Sequence, residues 1–469
     1  MPESAPKTPS IQPFVELMRD ANMPASAISS FRLHYQRLRG GEHGFLPEKN
    51  IRPIGSLPHS EDFGSYLEVG RSAMARAVVI KLNGGLGTSM GLERAKTLLP
   101  VRGNLNFLDL IARQMLALRR EAETDIPLLL MNSFRTADDS DRTLAGYPKL
   151  LVPNLPLGFL QNMVPKILED GLTPAIHDEQ PDLGWCPPGH GDLYTAIEAS
   201  GLLDQLIQRG IDYAFVSNAD NLGAAPEPSL LGYMVAEGVD FMLEAADRTP
   251  ADRKGGHLCR LLDGRLALRE SAQCPPEETD SFQDVDRHRY FNTNNLWIHL
   301  PTLHRLLREY GGFLPLPTVV NRKTLDPRDP TSPRVIQLET VMGTAISLFP
   351  KADVVRVPRR RFSPVKNTND LLGVRSDAFD LSSDARIVLS AERSEPPVIR
   401  LDEVFFKMID DFEARFPAGT PSLRRCDVLT VEGDITFGSG IIIEGEAIIR
   451  AGSKASIPDG TEIRGTVDF

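Results

Sequence analysis

The sequence predicts an α/β fold: a mostly parallel sheet with helices between its strands, followed at the C-terminal end by a β-helix. Three observations lead there. From about residue 72 to 385 short apolar runs alternate with helical patterns, the trace that strand–helix–strand units leave in a sequence. The first of those runs, Ala77-Val78-Val79-Ile80, opens into a turn crowded with glycine, Lys81-Leu82-Asn83-Gly84-Gly85-Leu86-Gly87-Thr88-Ser89-Met90-Gly91. In the last 45 or so residues an apolar side chain returns every sixth position: Val431, Phe437, Ile443, Ile449 in one series and Ile435, Ile441, Ala447 in another. A six-residue period punctuated by Gly433, Gly438, Gly440, Gly445 and Gly452 fits a β-helix; a few antiparallel hairpins are the plainer alternative.

Composition narrows the class. The chain has 469 residues, enough for two or three units, and at 41% hydrophobic and 25% charged it is ordinary globular material. Its 52 basic and 63 acidic residues leave a net charge of −11, which argues against nucleic acid or a membrane surface as partner. Any phosphate it binds needs positive charge placed locally. Cys186, Cys259, Cys274 and Cys426 lie far apart with no C-x-x-C pair, so neither a zinc ribbon nor a thioredoxin-like site is expected. Residues 1–10 carry three prolines and no apolar core, unlike a signal peptide. No apolar run approaches the ~20 residues that span a bilayer. Cytoplasm is the default expectation.

Taken in order, residues 1–10 read as disordered. Helical patterns follow at 11–22 and 25–39, and Gly40-Gly41 ends the second. Residues 47–70, rich in proline and glycine, read as an extended arm. The segment 1–71 is thus a helical appendage with an arm, either packed on the main domain or serving regulation or assembly. The α/β domain spans 72–385, with strands expected at 77–80, 128–131, 214–216, 241–243 and from 289 to 298, and helices at 106–118 and 191–209. The C-terminal domain spans 386–469, with its coil from about 428.

Chemistry concentrates where strands end. Glycines after a buried strand let the backbone approach a ligand, and successive N–H groups there form an anion site; a ligand-free tight turn is the alternative. The spacing is neither G-x-G-x-x-G, since Met90 takes the third place, nor a P-loop. Pro187-Pro188-Gly189-His190-Gly191-Asp192 is a stiff approach to a helix, with Asp192 as its expected N-cap. Ser217-Asn218-Ala219-Asp220-Asn221-Leu222-Gly223 follows a strand, where parallel sheets bind ligands. Asp220 suits Mg²⁺, which takes one or two carboxylates plus substrate phosphates; an Asx turn is the bland reading. Asn292-Thr293-Asn294-Asn295 interrupts an apolar strand and marks either amides facing a polyhydroxylated ligand or a bulge. Arg359-Arg360-Arg361-Phe362-Ser363-Pro364-Val365-Lys366 concentrates positive charge in an acidic chain, and Lys96 and Lys366 are the candidate phosphate ligands. No G-x-S-x-G, H-E-x-x-H or zinc cluster supports a hydrolase.

These motifs, together with Asn292-Thr293-Asn294-Asn295-Leu296-Trp297 and Val335-Ile336-Gln337-Leu338-Glu339-Thr340, occur in an order that closely resembles the eukaryotic-type UTP–glucose-1-phosphate uridylyltransferases, or UDP-glucose pyrophosphorylases. The resemblance runs from residue 72 to the C-terminus. It implies a Rossmann-like nucleotidyltransferase domain and a left-handed C-terminal β-helix. It implies that Leu82, Asn83, Gly84 and Gly85 contact the uridine nucleotide and that Gln161 and Gly189 read the uracil. His190, Asn218 and Asn294 would lie near the sugar or its phosphate, with Gly256 and Glu270 at the glucose hydroxyls. Asp220 matches a magnesium ligand, Lys96 and Lys366 phosphate-binding lysines, and Lys366 the catalytic lysine. One departure stands at Leu92-Glu93-Arg94-Ala95, where the family often has Gly-Pro before the lysine.

The implied reaction joins UTP and glucose 1-phosphate to give UDP-glucose and pyrophosphate, reversibly and with Mg²⁺. A phosphate monoester has its second pKa near ~6, so the nucleophile is already charged and needs no base. A sibling enzyme acting on N-acetylglucosamine 1-phosphate or on several sugar phosphates is the first alternative; such siblings usually carry arginine where this chain has Ser89. A catalytically silent nucleotide-sugar sensor is the second. The open ends of the coil call for a cap or a partner, so a homo-oligomer through the β-helix is one assembly the sequence allows.

Overall fold

The computed structural model describes residues 10–42, 44–92, 94–249 and 252–469. The disorder expected at the N-terminus falls on residues 1–9, outside the described residues, as does Glu93. The chain forms two units. The first takes Met1–Ile80, Gly158–Val216 and Pro226–Pro358; the second takes Lys81–Leu157, Ser217–Ala225 and Arg359–Phe469. Strands Ala77–Asn83 and Tyr213–Asn218 begin in the first and end in the second.

In the first unit, helices Gln12–Asp20 and Ala25–Arg39 bury one apolar stripe. Phe14, Val15, Met18, Ile28, Phe31 and Tyr35 join Val164, Ile167, Ile336 and Leu338 in one core cluster. Polar contacts fix the docking: Tyr35 Oη donates to the Leu172 carbonyl at 2.9 Å and Arg37 Nη1 to that of Leu316 at 2.6 Å. The extended arm expected at 47–70 is extended only in part. A short strand, Ile51–Pro53, is followed by 3-10 turns over Ser60–Tyr66 and a helix, Leu67–Ala73. That helix crosses Pro228–Ala236 at Gly70 and Gly232, so distant packing decides what local sequence left open.

The sheet of this unit is mixed. Strand Tyr290–His299 runs antiparallel to Tyr213–Asn218 on one side and to Phe241–Asp247 on the other; Phe241–Asp247 then pairs in parallel with Ala352–Arg356. The departure from the parallel expectation is local to Tyr290–His299, where an insertion follows Asp247. Its hairpin, His257–Leu261 with Leu266–Arg269, returns the chain in the opposite direction. The helix expected at 191–209 is two helices, Leu193–Ala199 and Leu202–Gln208, broken at Gly201. At the hairpin's end Arg269 is fully buried between Glu48 (2.7 Å) and Glu278 (2.6 Å). Glu48 also meets His288 at 3.0 Å, which ties the arm to the insertion.

In the second unit, helix Phe107–Ala122 starts with a capping box. The Asn106 side chain accepts from the Asp109 N–H, and the Asp109 carboxylate from the Asn106 N–H. Strand Leu128–Asn132 is buried throughout. The C-terminal part stacks parallel strands: Val398–Leu401, Ser422–Glu432, Ile442–Arg450 and Glu462–Asp468 in one sheet, Ile435–Phe437 and Ala455–Ile457 in another. Partners stand about three hexads apart, as in Val431 with Ile449 and Ile443 with Ile463. Every residue of the two six-residue series is buried. The hairpin alternative is excluded, because every one of these pairings is parallel. The stack also begins earlier than the periodic sequence, at Val398–Leu401. Among the described residues no helix is long and apolar enough to cross a membrane.

Candidate active site

Each unit carries a share of the predicted residues. In the second unit the glycine turn leaves strand Ala77–Asn83 with Gly87 (φ 68°) and Gly91 (φ 75°) in the left-handed region; Gly84 and Gly85 are not among the glycines with positive φ. The Leu82 carbonyl accepts from Ala219 N–H at 3.0 Å, and the Gly85 carbonyl from Lys96 N–H at 3.2 Å. Asn83 is 2% exposed. Its Nδ2 donates to Asn132 Oδ1 and Ser140 Oγ (2.8 and 2.7 Å), and its Oδ1 accepts from Thr97 Oγ1 at 2.7 Å. Asn83 therefore shapes the turn through its side chain.

Lys96 and Asp220 meet. Lys96 Nζ lies 2.6 Å from Asp220 Oδ2, and both side chains are largely buried. Among the described residues Asp220 Oδ1 is buried with no hydrogen-bond partner, the kind of exception that calls for an explanation such as a bound ion. The neighbouring loop is pinned to the same place. Val365 N–H donates to the Asp220 carbonyl at 3.2 Å, Ser363 N–H to Asn221 Oδ1 at 3.0 Å, and Asn221 Nδ2 to the Arg361 carbonyl at 3.1 Å. Lys366 follows, exposed, its Nζ 5.5 Å from the centre of the Phe362 ring. Burial pushes the Asp370 carboxyl up, while hydrogen bonds from the Lys366 and Asn367 N–H groups and the charges of Lys366 and Lys96 pull it back. The basic run is not one solvated face: Arg361 is buried and donates to the Ala225 carbonyl at 2.9 Å. Asn218, half-buried, closes strand Tyr213–Asn218.

In the first unit Gly189 has φ 79°, and a Cβ there would fall 2.4 Å from the Thr340 carbonyl oxygen. Only glycine fits a left-handed residue pressed against backbone. Thr340 N–H donates to the Pro188 carbonyl and Gly191 N–H to that of Thr340, both at 2.9 Å. His190 Nδ1 accepts from Met342 N–H at 3.3 Å, and burial pushes its pKa down to about 4. The ring is thus neutral near pH 7, with its proton assigned to Nε2 by that hydrogen bond. Gln161 is buried beside this turn's partner, Asn162. Gly256 lies against Glu270: a Cβ there would meet Glu270 Oε2 at 2.5 Å. Asn294, with φ 58°, sits at a bulge where Glu244 pairs with Asn295 but Ala245 pairs with Asn292. Bulges of this kind re-aim side chains and recur beside active sites.

Glu244 escaped the sequence reading. It is fully buried and accepts from Asn295 Nδ2 at 3.1 Å and Trp297 Nε1 at 3.0 Å. It fixes the bulge that carries Asn294. A carboxylate between the apolar stretches Phe241-Met242-Leu243 and Ala245-Ala246 was the available signal, since buried charges are the informative exceptions. Among the described residues no three His, Cys, Asp or Glu side chains gather as a metal cage.

An α/β fold with a glycine turn, a lysine–carboxylate pair and a second lysine on a pinned loop fits the nucleotidyltransferase class. The model of the family described as UTP–glucose-1-phosphate uridylyltransferase matches residues 33–444. The barley (Hordeum vulgare) protein of that name is 39% identical over 417 residues, covering 87% of this chain and 84% of its own. The Saccharomyces cerevisiae one is 40% identical over 400 residues, 84% and 78% respectively. Among solved structures, UDP-glucose pyrophosphorylase from Leishmania major superimposes with a TM-score of 0.93 at 41% identity, covering 98% of this chain and 100% of that one. The Trypanosoma brucei UDP-glucose phosphorylase gives 0.90 at 41%, with the same coverage. This chain belongs to the UTP–glucose-1-phosphate uridylyltransferase family.

Proposed function

We propose that this chain transfers the uridylyl group of UTP to glucose 1-phosphate, releasing pyrophosphate and forming UDP-glucose. In a member of this family the observation that carries the reading is the Lys96–Asp220 pair with its unpartnered Oδ1. A phosphate oxygen of the sugar phosphate attacks the α-phosphorus, the bond to the β-phosphate oxygen breaks, and pyrophosphate leaves with that electron pair. The obstacle is the meeting of two anions. Lys96, Lys366 and the amides of the glycine turn offset their charge as it grows on the leaving group. Asp220 fits Mg²⁺, since one carboxylate plus substrate phosphates is that ion's usual set; bound there, it would neutralise phosphate charge. Leu82, Asn83, Gly84, Gly85 and Asn218 serve the nucleotide. Gln161 and Gly189 read the uracil, and His190 offers a neutral N–H donor to the sugar phosphate. Gly256, Glu270 and Asn294 hold the sugar.

The segment 1–71 is an appendage, 72–385 the catalytic domain and 386–469 the C-terminal domain. The parallel stack winds as a left-handed β-helix able to join copies of the chain, and the protein works in the cytoplasm. Pyrophosphate release across UTP, CTP, ATP and GTP, and across a panel of sugar 1-phosphates, tests the function. UTP with glucose 1-phosphate should give the highest kcat/KM, because a site that hydrogen-bonds the base rejects analogues strongly. Preference for N-acetylglucosamine 1-phosphate would favour the sibling enzyme, and release with no pair would favour the sensor.

A further inference from the structure

Asp192 has no part in the roles assigned above. It stands at the N-cap of helix Leu193–Ala199, yet its side chain makes no capping hydrogen bond. Instead the buried carboxylate turns to Asn162, accepting from the main-chain N–H at 2.6 Å and from Nδ2 at 2.8 and 3.1 Å. Among the described residues its side-chain hydrogen bonds all come from Asn162. Asn162 follows Gln161 directly. Asp192 closes the turn that holds Gly189: its own N–H donates to the Gly189 carbonyl at 3.2 Å. Thus one carboxylate ties together the two segments that carry the two residues assigned to the base.

Among the described residues no cation pairs with this carboxylate. Asn162 and Asp192 line one small cavity with His34, whose ring is buried with its Nδ1 on Thr318 Oγ1 at 2.7 Å. Burial pushes His34 down to about 3 and the neighbouring His190 to about 4, so both are neutral near pH 7. Burial pushes Asp192 up to about 7 against the Asn162 hydrogen bonds. A folded pKa above the unfolded one means that stability falls as the pH rises through about 7. A group carried at the expense of stability, without capping its helix or pairing with a cation, is better explained by what it positions.

We infer that Asp192 is a positioning residue for nucleobase selection, fixing the Gln161 segment against the Gly189 turn. The inference rests on the proposed base-reading role of Gln161 and Gly189. Asp192→Ala should raise the KM for UTP and lower the UTP-over-CTP ratio of kcat/KM by ~10-fold or more. Its kcat and its KM for glucose 1-phosphate should stay near wild type. Asp192→Asn keeps an acceptor for the Asn162 N–H and an amide that can meet a turned Asn162 side chain, so it should retain most of the discrimination. A folded Asp192→Ala protein with wild-type discrimination would overturn the inference. Should that variant not fold, Asn162→Ala decides: it removes only the side-chain tie, and a partial loss of discrimination supports the inference while none overturns it. Gln161→Ala separates the two levels. If it leaves discrimination intact, the base-reading assignment and the inference fall together; if it abolishes discrimination while Asp192→Ala does not, the inference alone falls.

Discussion

Lys366→Ala is expected to lower kcat by ~10²–10³-fold, the range seen when one transition-state donor is removed, with a smaller change in apparent UTP affinity. The structure bears on what else the substitution would disturb. The backbone around Lys366 is held on both sides. Val365 N–H reaches the Asp220 carbonyl, and Lys366 N–H donates to Asp370 Oδ2 at 2.7 Å, at the start of the capped helix Thr368–Arg375. Removing the side chain therefore leaves its platform in place. An ammonium that meets charge only as it develops contributes more to the transition state than to the bound substrate. Lys366→Arg should rescue only in part, because a planar guanidinium does not replace a compact ammonium. Steady-state kinetics on variants with unchanged circular dichroism checks this. A folded alanine variant with near-normal kcat would take Lys366 out of the mechanism.

Asp220→Asn and Lys96→Met should each depress kcat/KM by ~10² or more, and the double variant should lose much less than the product of the two. Groups that act as one unit are not additive, and these two are in contact at 2.6 Å. The variants should also differ in a way activity alone cannot reveal. Asp220→Asn should weaken Mn²⁺ binding in the presence of UTP. Lys96→Met frees Asp220 Oδ2 from its lysine and should strengthen Mn²⁺ binding without nucleotide. Electron paramagnetic resonance of free Mn²⁺ measures both. Equal binding by wild type and Asp220→Asn would remove Asp220 as the metal ligand.

The sequence made some of this legible because the physics is local. Helix Phe107–Ala122 carries its start signal in Asn106 and Asp109, and the C-terminal stack shows its period because each coil repeats one packing environment. Lys96, Asp220 and Lys366 stood out as charged residues after strands or in the one basic cluster. What could not be read depended on distant partners. The antiparallel course of Tyr290–His299 follows from the insertion after Asp247, and the helix Leu67–Ala73 from its crossing at Gly232. Asp192 was expected to cap a helix, a local role, but its carboxylate answers to Asn162, thirty residues earlier. The side-chain contacts of Asn83 with Asn132, Ser140 and Thr97 likewise join residues far apart in the sequence. For Asn292-Thr293-Asn294-Asn295 the bulge reading holds, with Asn294 in the left-handed region beside it.

In the proposed reaction a phosphate oxygen of the sugar phosphate attacks the α-phosphorus of UTP. Phosphorus NMR with glucose 1-phosphate labelled with ¹⁸O at its non-bridging phosphate oxygens tests it most directly. The purified protein with UTP and Mg²⁺ should give UDP-glucose with ¹⁸O on the β-phosphorus and in the bridge to the α-phosphorus, and unlabelled pyrophosphate. Label in the pyrophosphate, or release of UDP or UMP without UDP-glucose, would rule out this attack.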